Sequence, residues 1–209
     1  MVFDRFAATC ALLAGPAGFG YSAAFLVYLH NGSRGAAYAD DLLLLAGGLL
    51  STAVFTALYE RLQGVDRPLA LWGFVLALAG ALGAVLHAGY DLANLAKPPA
   101  ALASDVPSAV DPRGLATFGL TGLALAIVGS LVLRSGLLPL GLGWLAMLAA
   151  ALLVFVYVGR LVILDPHSPG LHTAAIVVGF VVNPAWYVWL GLRLWRDAEA
   201  APELRATPV

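Results

Sequence analysis

The residues of this chain best suited to chemistry fall in one short stretch, Leu86-His87-Ala88-Gly89-Tyr90-Asp91-Leu92-Ala93-Asn94. At 3.6 residues per turn, His87, Tyr90, Asp91 and Asn94 lie at i, i+3, i+4 and i+7 and share one helix face. An imidazole, a phenol, a carboxylate and a carboxamide can together bond a ligand, exchange a proton or ligate a cation. The preceding residues, Leu69 to Leu86, are apolar or small, apart from the indole of Trp72. The stripe therefore sits near the end of a membrane-spanning helix. Polar groups at that depth are costly, which makes them the default candidates for a site.

Other ionisable groups join the stripe at the same end of the chain's spans: His30, His167, His172, Asp40, Asp41, Asp165, Arg113 and Arg160. Three readings of this cluster stand side by side. In the first, these residues cap helices and pair at the water interface, with Asp91 facing Arg113, Arg160 or Lys97; such surface pairs are worth roughly 0–1 kcal/mol. In the second, His87, Tyr90, Asp91 and Asn94 form one wall of a pocket for a small molecule, lipid headgroup or ion. Arg113 and Arg160 then hold a carboxylate or phosphate through paired N–H donors. In the third, His87 and Asp91 share a divalent metal completed by His30 or His172, which activates water for a membrane hydrolase or lipid-modifying enzyme. A haem held by two of His30, His87 and His172 uses the same residue types. No His-Glu-x-x-His pattern supports the metal. Binding or sensing a small ligand is the favoured expectation; the enzyme is the alternative, and haem binding or transport stand behind it.

The elements that position these groups follow from composition. The chain has 209 residues, 61% hydrophobic and only 11% charged, against roughly a quarter charged in soluble domains. Its mean hydropathy is +0.90. Apolar runs longer than about 18 residues recur, so the expected fold is all-α, a single integral membrane bundle of six helices. The expected spans cover about 6–30, 41–62, 68–95, 114–134, 138–163 and 169–195. The 23 glycines suit close helix packing. A net charge of −1 without a basic run excludes nucleic acid as a partner. The lone cysteine, Cys10, excludes an internal disulfide and reads as a packing residue of the first span. Phe6 to Leu29 is too long an apolar run for a signal peptide and reads as a retained helix.

With six spans, both termini share a side with the turns near 63–67 and 135–137. That side holds seven of the eleven Lys and Arg residues, so the termini are expected in the cytoplasm and the protein in the inner membrane. Trp186, Trp189 and Trp195 read as an anchor at that interface. Asn183-Pro184, in the middle of the last span, predicts a kink. The 96–113 segment is the longest loop, long enough to act as a lid over the His87–Asn94 stripe. Thr117, Thr121 and Ser130 are expected to bond back to their own helix.

Three segments carry a resemblance: His87-Ala-Gly-Tyr-Asp-Leu-Ala-Asn94, Leu138-Pro-Leu-Gly-Leu-Gly-Trp-Leu145 and Asn183-Pro-Ala-Trp-Tyr-Val-Trp-Leu-Gly-Leu192. On these the chain resembles a family of small multi-pass bacterial membrane proteins of unknown function. The resemblance implies a six-helix membrane fold and no activity. Seven-helix membrane hydrolases that hold zinc with paired histidines are a poorer match, because the paired-histidine motif is missing and the spans are too few.

Overall fold

The structure is a computed structural model that describes residues 2–96, 115–163 and 168–206, with side chains described for 3–96, 117–159 and 168–200. Residues 97–113 of the expected lid, with Lys97 and Arg113, lie outside the described residues, as do Asp165, His167 and the side chain of Arg160.

Helix α1 (Val2–Asn31) ends at Gly32, whose φ of 65° is the left-handed conformation that glycine adopts without a Cβ clash. Ser33 caps α2 (Arg34–Leu62), its hydroxyl accepting from the Ala36 N–H at 3.3 Å. The second span therefore starts seven residues before the expected position of 41, and α1 and α2 form a tight hairpin. The apolar run marks where a helix meets hydrocarbon. A serine cap and helix-permissive residues start it earlier. Asp66 accepts from the Leu69 N–H at 3.2 Å as α3 (Arg67–Ala96) begins.

A π-helical turn (Leu115–Gly119) leads into α4 (Leu120–Ser135), which stops at Gly136 with φ 64°. Helix α5 (Leu140–Ile163) follows. The sixth span has three parts: α6 (Pro169–Val177), a π-helical segment (Val178–Val182) and α7 (Asn183–Ala206). Six helices are long and apolar enough to cross a membrane, and among the described residues every element is helical. This is an all-α, multi-pass membrane protein.

Each span packs on its sequence neighbour, and α7 returns to α1, closing the ring. Glycines set the closest approaches. A Cβ at Gly48 of α2 would lie 2.8 Å from the Ala81 carbonyl of α3, and one at Gly129 of α4 would lie 3.0 Å from the Gly143 carbonyl of α5. Small residues let backbones meet where lipid supplies no hydrophobic drive. Large apolar side chains face outward instead: Leu86 is 72% and Trp144 65% exposed. That outer surface fits lipid rather than water.

The interior has two unlike halves. The face that holds both termini is called here the terminal face, and its opposite the far face. Leu58, Leu62, Leu131, Leu142, Leu190 and Leu194 are fully buried, all toward the terminal face. Arg61 bonds Asp197 at 2.7 Å and reaches Asp4 at 3.7 Å, joining α2, α7 and α1 at that end. Trp186 is 2% exposed and stacks on Phe55 with ring centroids 6.1 Å apart. It is a core residue, unlike the expected interfacial anchor, because the helix turn puts it on the inner face. Trp189 and Trp195 remain exposed. Cys10 is buried as a packing residue.

Candidate functional site

At the far end of α3 the predicted stripe is in place. His87 Nε2 lies 3.1 Å from Asp91 Oδ2, one turn apart on the helix. Both are half-buried, as is Asn94, whereas Tyr90 is exposed. Opposite them, α2 contributes what the sequence reading treated as span-opening residues. Asp40 and Asp41 are 8% and 6% exposed, well inside α2 because that helix begins at Arg34. Asp40 lies within electrostatic reach of Asp41, His87 and Asp91. Its Oδ1 is buried and has no hydrogen-bond partner among the described residues. Arg34 crosses to the end of α3, donating to the Leu95 carbonyl at 2.6 Å. The stripe thus belongs to a polar contact that joins α2 to α3 near the far face.

Among the described residues, no three His, Cys, Asp or Glu side chains are grouped to hold a metal ion. His87 and Asp91 form a pair, and neither His30 nor His172 joins them. His30 is exposed at the end of α1. His172 stands elsewhere, on α6, at the edge of a cavity.

That cavity is the feature the sequence reading missed. It has a volume of about 270 Å³, and all six spans line it. His87, Tyr90, Asp91 and Asn94 are not among its lining residues. Small residues open it: Ala14 and Gly18 of α1, Gly47 of α2, Gly80 and Ala84 of α3. Gly47 and Gly48 are neighbours with opposite roles. A Cβ at Gly48 would strike α3, but one at Gly47 meets nothing within 4 Å. Both π-helical segments face the cavity, through Thr117 and Phe118 on one side and Val178, Gly179 and Phe180 on the other.

The second π segment explains why the space exists. Pro184 has no N–H to give the Phe180 carbonyl one turn back, and its ring crowds that carbonyl. The chain widens there, and the Asn183 N–H bonds the Val178 carbonyl, five residues back. The expected disruption at Asn183-Pro184 therefore takes the form of a π segment. On the terminal side, α7 lies close on α1: a Cβ at Gly15 would come within 3.0 Å of the Pro184 carbonyl, and one at Gly191 within 3.1 Å of the Ala8 carbonyl. On the far side, α6 packs on α5, where Leu171 fills the place of a Cβ at Gly159. The cavity occupies the gap this leaves.

The cavity's polar groups come from residues scattered along the chain. Ser51 donates to the Gly48 carbonyl at 2.8 Å and Ser22 to the Gly18 carbonyl at 3.1 Å. Tyr187, 7% exposed, lies beside Ser51. The Asn183 carboxamide faces Gly18, with Nδ2 3.3 Å from the site of a Cβ there. Thr117 and Thr121 also line the space. Ser130, away from the cavity, bonds back to the Ile127 carbonyl at 2.7 Å as expected. The signal for the cavity, a glycine face on α2 opposite a proline-broken span, is visible only when six helices are superposed. Compared with known proteins, the chain matches no family model, no curated protein and no solved structure.

Proposed function

We propose that this protein binds or senses a small, membrane-soluble ligand in the cavity between its six spans. It does so in the cytoplasmic membrane, termini inside, an orientation supported by the seven Lys and Arg residues on the terminal side of eleven in all. One observation carries the reading. A space of about 270 Å³ is held open in the far half of the bundle by residues from every span. Ligand sites are concave and mostly apolar, with a few placed polar groups, and Ser51, Thr121, Asn183 and Tyr187 supply them here. A dry void of this size lowers stability through lost contacts, so an occupant accounts for its persistence.

Gly47→Leu provides the test. The substitution places a side chain in open space within the cavity, and leucine favours the helix over glycine by roughly 1 kcal/mol. Small molecules retained by wild type and variant in nanodiscs are extracted and compared by mass spectrometry. A lipophile retained by wild type should fall about tenfold or more in the variant, given roughly 1–3 kcal/mol for overfilling a site. Equal retention by a folded variant would overturn the proposal.

A further inference from the structure

The depth and charge of the lining select the kind of molecule it takes. Among the described residues, no Lys, Arg, Asp or Glu lines the cavity. Deep in the cavity, away from His172 at its edge, a charged group would meet no counter-ion among the described residues, at a depth where an unpaired charge is strongly disfavoured. The cavity's polar groups lie at two depths, with Ser22, Thr117, Thr121 and His172 above and a second set below. Ser51, Asn183 and Tyr187 lie near the middle of their spans. Phe55, one turn below Ser51, stacks on Trp186 beside Tyr187, and these two rings, each 2% exposed, close the bundle toward the terminal face. The floor is a dead end, so the cavity holds a molecule rather than passing one through.

Above the floor the walls are mostly hydrocarbon and aromatic, as at Leu26, Leu44, Phe118, Val156 and Ile176, with single hydroxyls between them. Along α1 the lining runs from Ala14 to Leu29, about 22 Å at 1.5 Å per residue. On its upper part α6 has moved onto α5, leaving a seam beside α1. Leu29, a lining residue, is 61% exposed, and Val177 on α6 is 36% exposed, so the seam's margins face lipid.

We infer that the ligand is a neutral lipophile with one hydrogen-bonding end, a hydroxyl or carbonyl on a hydrocarbon chain. It is drawn from the bilayer and seated polar end down on Asn183, Tyr187 and Ser51. Its chain rises past Phe25 and Leu26 toward the seam between α1 and α6. This rests on the cavity being the binding site. A hydroxyl and a carboxamide both donate and accept, so either kind of polar end finds a partner at the floor. In the bilayer core that end has no water to bond, which gives the floor its advantage over lipid.

Three photoprobes with the same chain and diazirine position test this in nanodiscs: a long-chain alcohol, its phosphate monoester and the parent hydrocarbon. The alcohol should label wild type saturably, about tenfold above either of the others, the ratio expected for a well-made buried hydrogen bond. With the diazirine beside the hydroxyl, labelling should fall on the peptide containing 183–187; with it at the chain end, on 25–29 or 172–177. Tyr187→Phe and Asn183→Leu should each bring alcohol labelling down toward the hydrocarbon level and leave hydrocarbon labelling unchanged. Phosphate labelling equal to that of the alcohol would overturn the neutral ligand. Alcohol and hydrocarbon labelling wild type equally would overturn the polar-end-down seating. Labelling that Gly47→Leu leaves untouched for all three probes would remove the cavity reading itself, a distinct failure.

Discussion

His87 and Asp91 show how spacing and position can be legible while role is not. Helical periodicity puts them one turn apart, and they meet at 3.1 Å. Asp40, within electrostatic reach of them from α2, and its neighbour Asp41 are buried for a reason the sequence hides: a serine cap starts α2 at Arg34. The pair belongs to the α2–α3 contact and lies apart from the cavity lining. Asp91→Ala should therefore lower thermal stability modestly, by up to about 1 kcal/mol for a half-exposed pair. It should leave retention of the cavity ligand at the wild-type level. A double-mutant cycle with His87→Ala, read by thermal unfolding and by ligand retention, checks both parts. A large loss of retention with unchanged stability would return the stripe to the binding site.

At the scale of elements, the sixth span decides the architecture of the far half. Asn183-Pro184 marks the break in the sequence. The direction in which the chain above it leans is set by neighbours, Gly159 receiving Leu171 on α5 and Gly15 receiving α7 on α1. Pro184→Ala restores an N–H at the position where a regular α-helix needs one and removes the ring that crowds the preceding turn. A helix-interior proline costs about 3 kcal/mol relative to alanine, and part of that is already relieved by the π segment. The variant should melt higher and retain about tenfold less ligand as α6 realigns with α7 toward α1. Melting temperature measured alongside retention checks it, and unchanged retention would show that packing on α5 alone holds α6 away. The early start of α2 is a second case at this scale. Its apolar residues mark the hydrocarbon region, but Gly32 and Ser33 set the boundary, two residues whose effect is local and easily passed over.

Across the whole molecule, the terminal half is packed with leucine and the far half is held open by small residues. Leu58→Ala, at a side chain 1% exposed in the packed half, should cost about 2–5 kcal/mol as a cavity forms. Leu26→Ala, beside space that is already empty, should cost well under half as much. Unfolding in mild detergent compares the two, and equal losses would mean that the far half is as tightly packed as the other. The sequence by itself determined the membrane location, the number of spans, the helical class, the glycine-mediated packing and the break at Pro184. These follow from hydropathy, periodicity and the chemistry of single residues, all of which act within one turn or one span. Only the tertiary structure decided that Asp40 of α2 comes within reach of His87 and Asp91, that Trp186 is core, and that Gly47, Ser51, Asn183 and Tyr187 surround a common space. Whether a glycine meets a carbonyl or a void depends on the rotation of each helix against its neighbours. That rotation is settled by the packing of all six together and leaves no mark on any one of them.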